Sequence, residues 1–226
     1  MRLLLIDTCG SEGSVVLAEG VEPRIVALDT MPGRSASERL VSVIRQGLEA
    51  VGWRPGELTA IGVVRGPGSF TGVRVGLSAA KGLSEAAGVP LVAVSRLALL
   101  AGAVGEAEGR VCALLDAGRG EFYCGIYEGR RMVSESLVTA QEIESLAAEA
   151  SVVVACEPRV VEALGALGPR LVNEPGASDA LPFVVERVAA GEFDDTATID
   201  ANYLRRTDME IFAKNAALNA AKGLSR

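Results

Sequence analysis

The 226-residue chain contains no histidine. Imidazole is the usual general base near neutral pH and the commonest metal ligand. Its absence excludes Ser-His-Asp hydrolysis, Cys-His catalysis and His-ligated metallopeptidase sites within this chain. Carboxylate-only and phosphate-loop chemistry stay open. Aromatic residues are scarce, at 4%, so the core has to be built from Leu, Val and Ala. No apolar run approaches the roughly 20 residues of a membrane helix. The opening MRLLLIDT turns acidic too soon for a signal peptide and reads as a buried first strand. Cationic residues are outnumbered, 22 Lys and Arg against 29 Asp and Glu, giving a net charge of -7 and a pI near 4.9. RNA affinity rests on Lys and Arg neutralising phosphates, so any RNA role needs a basic partner.

The four cysteines, Cys9, Cys112, Cys124 and Cys156, are widely spaced with no C-x-x-C pair, the pattern of buried reduced thiols. With 49% hydrophobic and 23% charged residues, the chain is expected to be a soluble, intracellular, cytoplasmic α/β protein.

Strand-like runs at Arg2 to Asp7, Ser14 to Ala18 and Arg24 to Leu28, joined by Gly- or Pro-containing turns, predict an antiparallel meander. Ser35 and Glu38 have capping-box spacing at the start of a helix that Gly52 would stop. A strand follows at Ala60 to Val64, then a glycine-rich turn, a helix over Phe70 to Ala87, a strand at Leu91 to Val94 and a helix from Arg96 to Val104. The second half repeats the order. Strands at Val111 to Leu115, Phe122 to Tyr127 and Met132 to Val138 precede a helix at Gln141 to Ala150, a strand at Val152 to Ala155 and helices at Val160 to Leu167 and Ser178 to Ala190. This predicts a duplicated α/β architecture: a first lobe over 1–105, a second over 106–206, and a helical tail over 207–226 returning toward the first lobe.

The segment Gly66-Pro67-Gly68-Ser69-Phe70-Thr71-Gly72-Val73-Arg74-Val75-Gly76 lies between a strand and a helix. It matches neither G-x-G-x-x-G nor a P-loop. Backbone N–H groups from Ser69 to Gly72 could hold a phosphate or carboxylate at a helix start; the plainer reading is a tight turn permitted by Gly66 and Gly68. Asp7, directly after the first strand, could orient a metal-bound phosphate or simply form a turn, and Asp116 takes the matching place in the second half. Arg74 could reach an anion at the helix start or pair on the surface. Asp7, Gly68, Ser69, Thr71, Gly72 and Arg74 are therefore the candidate nucleotide or anion residues. Gly72, Gly76, Ala80 and Ser84 form a small-residue stripe for close helix packing, which spacing alone assigns to the protein's own interior. Glu142, Glu144 and Glu149 read as a solvated helix face.

Together, Ile6-Asp7-Thr8, Ser37-Glu38-Arg39-Leu40, Gly66 to Arg74, Asp116-Ala117 with Gly120-Glu121 and Tyr123, and Tyr203-Leu204-Arg205 resemble the TsaB family, bacterial proteins required to make threonylcarbamoyladenosine in tRNA. The resemblance spans nearly the whole chain. Three positions depart from the family pattern: Ala36 where many relatives have His, Gly118 in place of Arg after Asp116-Ala117, and Asn202 in place of Pro before Tyr-Leu-Arg.

The resemblance implies an actin-like ASKHA fold of two lobes and a heterodimer with the paralogous transferase TsaD, joined by the ATPase TsaE. It also implies contact with tRNA only through that complex, no membrane, and a homodimer as a candidate state in isolation. It implies no cofactor in the isolated chain, and ATP or ADP only at the assembled complex. Arg96 and Leu100 stand where TsaD carries metal-binding histidines, so no metal is expected and the glycoprotease-like label used for some relatives would mislead. By the same resemblance, partner binding falls to Ser37, Leu40, Ile44, Leu48, Val73, Leu77 and Ala80, and the small-residue stripe shifts toward an intermolecular contact. The implied function is a non-catalytic subunit that activates TsaD. The rival is an independent ASKHA-type ATPase or phosphotransferase using Asp7 and the Gly66 to Gly72 turn.

Overall fold

A computed structural model describes residues 1–105 and 108–204. The first sheet contains β1 (Arg2–Asp7), β2 (Glu12–Glu19), β3 (Arg24–Pro32), β4 (Ala60–Val64) and β5 (Leu91–Val94), in the order β3-β2-β1-β4-β5. β1 is antiparallel to β2 and parallel to β4. Its Leu3-Leu4-Leu5-Ile6 run is fully buried on both faces, which explains a continuous apolar stretch where a one-sided strand would alternate. The helices of this lobe are α1 (Ala36–Ala50), α2 (Phe70–Ala87) and α3 (Arg96–Gly102).

The second sheet contains β6 (Arg110–Gly118), β7 (Glu121–Glu128), β8 (Arg131–Thr139), β9 (Val152–Ala155) and β10 (Arg170–Leu171), in the order β10-β9-β6-β7-β8. β6 is antiparallel to β7 and parallel to β9, so read from the meander edge the second sheet repeats the first. Two such five-stranded mixed sheets, each a three-stranded meander followed by parallel strands with helices on their faces, form the actin-like ASKHA architecture. The remaining helices are α4 (Ala140–Ala147), α5 (Pro158–Ala163) and α6 (Leu181–Ala190).

Several expectations need correction. Ser35 does not cap α1: residues 33–35 form a 3₁₀ turn that runs directly into it, and the Ser35 hydroxyl instead donates to Pro32 O at 2.9 Å. A capping box does occur at α4, where Thr139 N–H and Oγ1 both donate to the Glu142 carboxylate, and Glu142, Glu144 and Glu149 are exposed as a solvated helix face should be. β10 has no two-residue periodicity to reveal it, since strand pairing with β9 alone defines it.

The described residues assigned to the second lobe do not all stay in it. After β10 the chain returns: Ala177 N–H donates to Ser14 Oγ on β2 at 2.9 Å, and Ala177, Ala180, Val184 and Ala201 are buried in the first lobe's core. The apolar face of α6 is completed by the outer face of β4 and β5, a long-range choice invisible to local patterning. Arg206 and the proposed helical tail over 207–226 lie outside the described residues. The lobes and the returning segment meet at Glu135 on β8, which accepts hydrogen bonds from Ser95 Oγ, the Tyr127 hydroxyl and Asn202 Nδ2.

Candidate functional site

The C-terminal ends of β1 and β6 face a cleft of about 760 Å³ between the lobes, the position at which open α/β sheets receive ligands. On the first-lobe side the chain leaves β1 at Asp7 and turns through Thr8 to Ser11. This turn is fastened to the start of α2. Thr8 Oγ1 donates to Gly72 O at 2.6 Å, Ser69 N–H donates to Cys9 O at 2.9 Å, and Cys9 Sγ reaches Val64 O at 3.1 Å. Gly68 and Gly72 permit the approach, because a Cβ at Gly68 would overlap Cys9 O and one at Gly72 would overlap Thr8 O. The glycines of the motif therefore serve packing between the β1–β2 turn and α2.

That fastening consumes donors. Ser69 N–H is bound to Cys9 O, and Gly72 N–H is bound to Ser69 Oγ at 3.3 Å as the N-cap contact of α2. An N-terminal anion cradle from Ser69 to Gly72 is thus half spent on the protein itself.

Beneath the turn, Asp7 is buried. Its Oδ1 accepts from Cys9 N–H at 2.7 Å, whereas Oδ2 has no hydrogen-bond partner. Burial raises its pKa, against the lowering effects of the Cys9 N–H and the Arg96 charge. Burial, with the Asp7 charge adding to it, pushes the Cys9 thiol well up, as expected of a thiol packed in the core.

Arg96, the first residue of α3, is only 4% exposed. Its Nη2 donates to Glu174 Oε1, and its Nε is buried with no partner. Burial opposes its charge, but the acids and thiols around it, Asp7 foremost, carry its pKa above the ordinary value. Glu174 comes from the returning segment. It also accepts from Ser11 N–H at 2.9 Å and from the Ser11 hydroxyl. Partial burial raises the Glu174 pKa, and the Ser11 and Arg96 contacts more than offset that, leaving it lowered.

The sign of this shift fixes a pH dependence. A carboxyl held below its unfolded pKa stabilises the fold above the unfolded value, and that contribution disappears as pH falls through the folded pKa. Melting temperature in wild type is expected to fall more steeply on acidification than in Glu174→Gln, whose amide does not titrate. Parallel melting curves from pH 7 to pH 3 would contradict this.

The opposite wall comes from the second lobe. Asp116 Oδ1 accepts from Gly118 N–H at 2.8 Å and Oδ2 pairs with Arg159 at 3.1 Å; Glu157 accepts from Asp116 N–H at 2.6 Å. Cys156 borders the same space, its pKa raised by burial to about 11. Among the described residues no three His, Cys, Asp or Glu side chains are grouped to hold a metal. As they stand, the first-lobe residues do not fit a nucleotide phosphate: Ser69 N–H, the donor of that cradle on the cleft, is bound to Cys9 O, and a carboxylate sits on Ser11.

The candidate anion residues are therefore dispersed. Gly68 and Ser69 line the cleft, and Asp7 lies under its floor. Thr71 and Gly72 open instead onto a second groove, shared with Arg34 and Ser37. Arg74 points to the surface, stacked 3.3 Å from the Phe70 ring centroid and 5.3 Å from that of Tyr203, so it does not serve an anion in the cleft. The candidate partner-binding residues are corrected more sharply. Leu40, Ile44, Leu48, Val73, Leu77 and Ala80 are all buried within the lobe, and only Ser37 is exposed. The small-residue stripe is internal as well, with Gly72 and Gly76 lying against Thr8. The inward face of each helix carries the apolar periodicity, so periodicity could not report the outward one.

The Arg96, Glu174 and Ser11 cluster was missed. Sequence reading placed Arg96 at a vacated metal position and gave Glu174 no role, and no local signal links residues 78 positions apart.

Comparison with known proteins gives a consistent picture. The family model described as "TsaD: tRNA N6-adenosine threonylcarbamoyltransferase" matches residues 17–160. The chain is 32% identical over 144 residues to the tRNA threonylcarbamoyladenosine biosynthesis protein TsaB of Bacillus subtilis (strain 168), covering 63% of this chain and 62% of that protein. It is 35% identical over 130 residues to the TsaB protein of Escherichia coli (strain K12), covering 57% and 55%. The matches thus span less than two thirds of these relatives' length. A crystal structure from Pseudomonas aeruginosa, of an uncharacterized protein with similarity to peptidase YEAZ, superposes with a TM-score of 0.74 at 30% identity, covering 90% of this chain and 99% of that one.

Proposed function

We propose a function from one premise: the chain belongs to the TsaB family and itself matches the family model described for the TsaD transferases. The chain serves tRNA threonylcarbamoyladenosine formation as a non-catalytic subunit that binds and activates a TsaD-type transferase, with a TsaE-type ATPase joining the assembly and tRNA reached only through it. ATP or ADP belongs to the assembled complex. The observation that carries this reading is the state of the interlobe cleft, where the Ser69 and Ser11 N–H groups that would face a phosphate are bound to the protein's own atoms. The same observation weighs against the rival ATPase.

The partner surface is the outward side of α1 and α2. Ser37 on α1 lines one groove with Thr71 and Val75 on α2. Residues four apart on a helix share a face, which extends these stripes to Val41 on α1 and to Ala79 and Leu83 on α2. Val41 is 71% exposed. Small and apolar outward residues let a partner helix approach closely, and an interface of ordinary size would bury about 1,600 Å² in total. Val41→Asp and Thr71→Arg, both at exposed positions, are each expected to weaken the complex with the cognate TsaD protein at least tenfold in a titration, with melting temperature nearly unchanged. Undiminished binding by both variants would remove this surface from the proposal; failure of the wild-type chain to co-elute with that transferase would remove the function itself.

A further inference from the structure

The Glu174 carboxylate is held as a bound oxyanion is held. One oxygen accepts from a backbone N–H of the β1–β2 turn, Ser11, and from the guanidinium of Arg96; the other accepts from the Ser11 hydroxyl. Gly10 leaves room for it: a Cβ there would stand 2.5 Å from Glu174 Oε1 and 3.0 Å from Arg96 Nη2. The receptor side is built into the core. Arg96 is 4% exposed and lines the cleft, and its Nε still has a donor to give. The ligand side is attached differently. Glu174 is about one-third exposed and rides on the segment that crosses from the second lobe back to the first. A fixed cation, a turn N–H and a hydroxyl therefore face a carboxylate on the crossing segment, with a cleft of about 760 Å³ beside them.

We propose that Glu174 is an intramolecular ligand that fills an oxyanion site formed by Arg96 and Ser11, and that a compact oxyanion, either free phosphate or the terminal phosphate of a nucleotide, enters this cleft only by displacing it. Charge selects the class. A carboxylate and a phosphate oxygen make the same charge-assisted hydrogen bonds to a guanidinium and a backbone N–H. The cis carboxylate has the advantage of a high effective concentration, because it is tethered. Asp7, buried beneath the turn, acts electrostatically on Arg96 and offsets part of its charge. The inference concerns the cleft alone and does not depend on the α1 and α2 partner surface.

Calorimetric titration of the full chain with inorganic phosphate at constant ionic strength tests it. Glu174→Ala is expected to bind phosphate at least tenfold more tightly than wild type, with Glu174→Gln intermediate because its amide keeps the bulk and loses the charge. Adding Arg96→Met to either variant should return affinity to the wild-type level. ADP identifies the source: competition with phosphate in Glu174→Ala, at higher affinity, assigns the site to a nucleotide's terminal phosphate, and no competition assigns it to free phosphate. If neither folded Glu174 variant gains affinity for phosphate, or if the gain survives Arg96→Met, the proposal is overturned. Glu174→Gln, which preserves side-chain volume and the acceptor facing Ser11, provides the reading should Glu174→Ala fold poorly.

Discussion

Gly72→Ala is expected to lower stability by about 3 kcal/mol or more, beyond the ordinary cost of added volume in a core. The position is in the first turn of α2, where Ala is normally the better helix former by about 1 kcal/mol, so propensity predicts the opposite sign. Geometry decides against propensity. The new methyl group would overlap the carbonyl oxygen of Thr8. Neither neighbour can yield cheaply, because Thr8 is tied to Gly72 O through its own hydroxyl and Cys9 O is tied to Ser69 N–H. For a domain of this size the melting temperature should fall by roughly 6–12 °C. Gly82→Ala is the control. It lies in the same helix with nothing within 4 Å of its Cβ position and is exposed, so it should gain about 1 kcal/mol. Urea denaturation of both variants measures the contrast, and a neutral Gly72→Ala would mean that α2 and the β1–β2 turn are not fastened as described.

Ile44→Asp and Leu77→Asp are expected to abolish folding, a larger effect than any substitution on the outward faces. Ile44 is 7% exposed and Leu77 6%, and the two lie on helices packed against each other and the sheet. Loss of the aliphatic side chain costs about 2–5 kcal/mol, and an unpaired carboxylate placed in the same site adds several more. A domain is stable by only about 5–15 kcal/mol, so most of that margin disappears. Circular dichroism should show an unfolded or aggregated chain, in contrast to a folded Val41→Asp. A cooperative, native-like melt for Ile44→Asp that lacked only partner binding would restore the inward faces to the interface.

The central strands were legible because their signal is local. Leu3 to Ile6 and Val111 to Leu115 are continuous apolar runs closed by Asp or turn residues, and α2 is bounded by Ser69 and Gly88, whose cap and left-handed conformation are those expected of such residues. The repeat of strand order in the two halves was legible for the same reason. The reading failed wherever two distant segments had to choose each other. The outward and inward faces of α1 could not be told apart by function, since apolar periodicity marks only burial.

By itself the sequence determined the two meanders, the helices between the parallel strands, the absence of imidazole chemistry and the family. These follow from residue types and spacings within one element or one motif. Tertiary structure alone decided that the chain after β10 returns to the first lobe, that Gly68, Gly72 and Gly76 serve packing against Thr8 and Cys9, and that Glu174 sits on Arg96 and Ser11. Each of these is a contact between segments 55 or more residues apart, fixed by which buried polar and apolar groups satisfy one another, and no local pattern of amino acids encodes that choice.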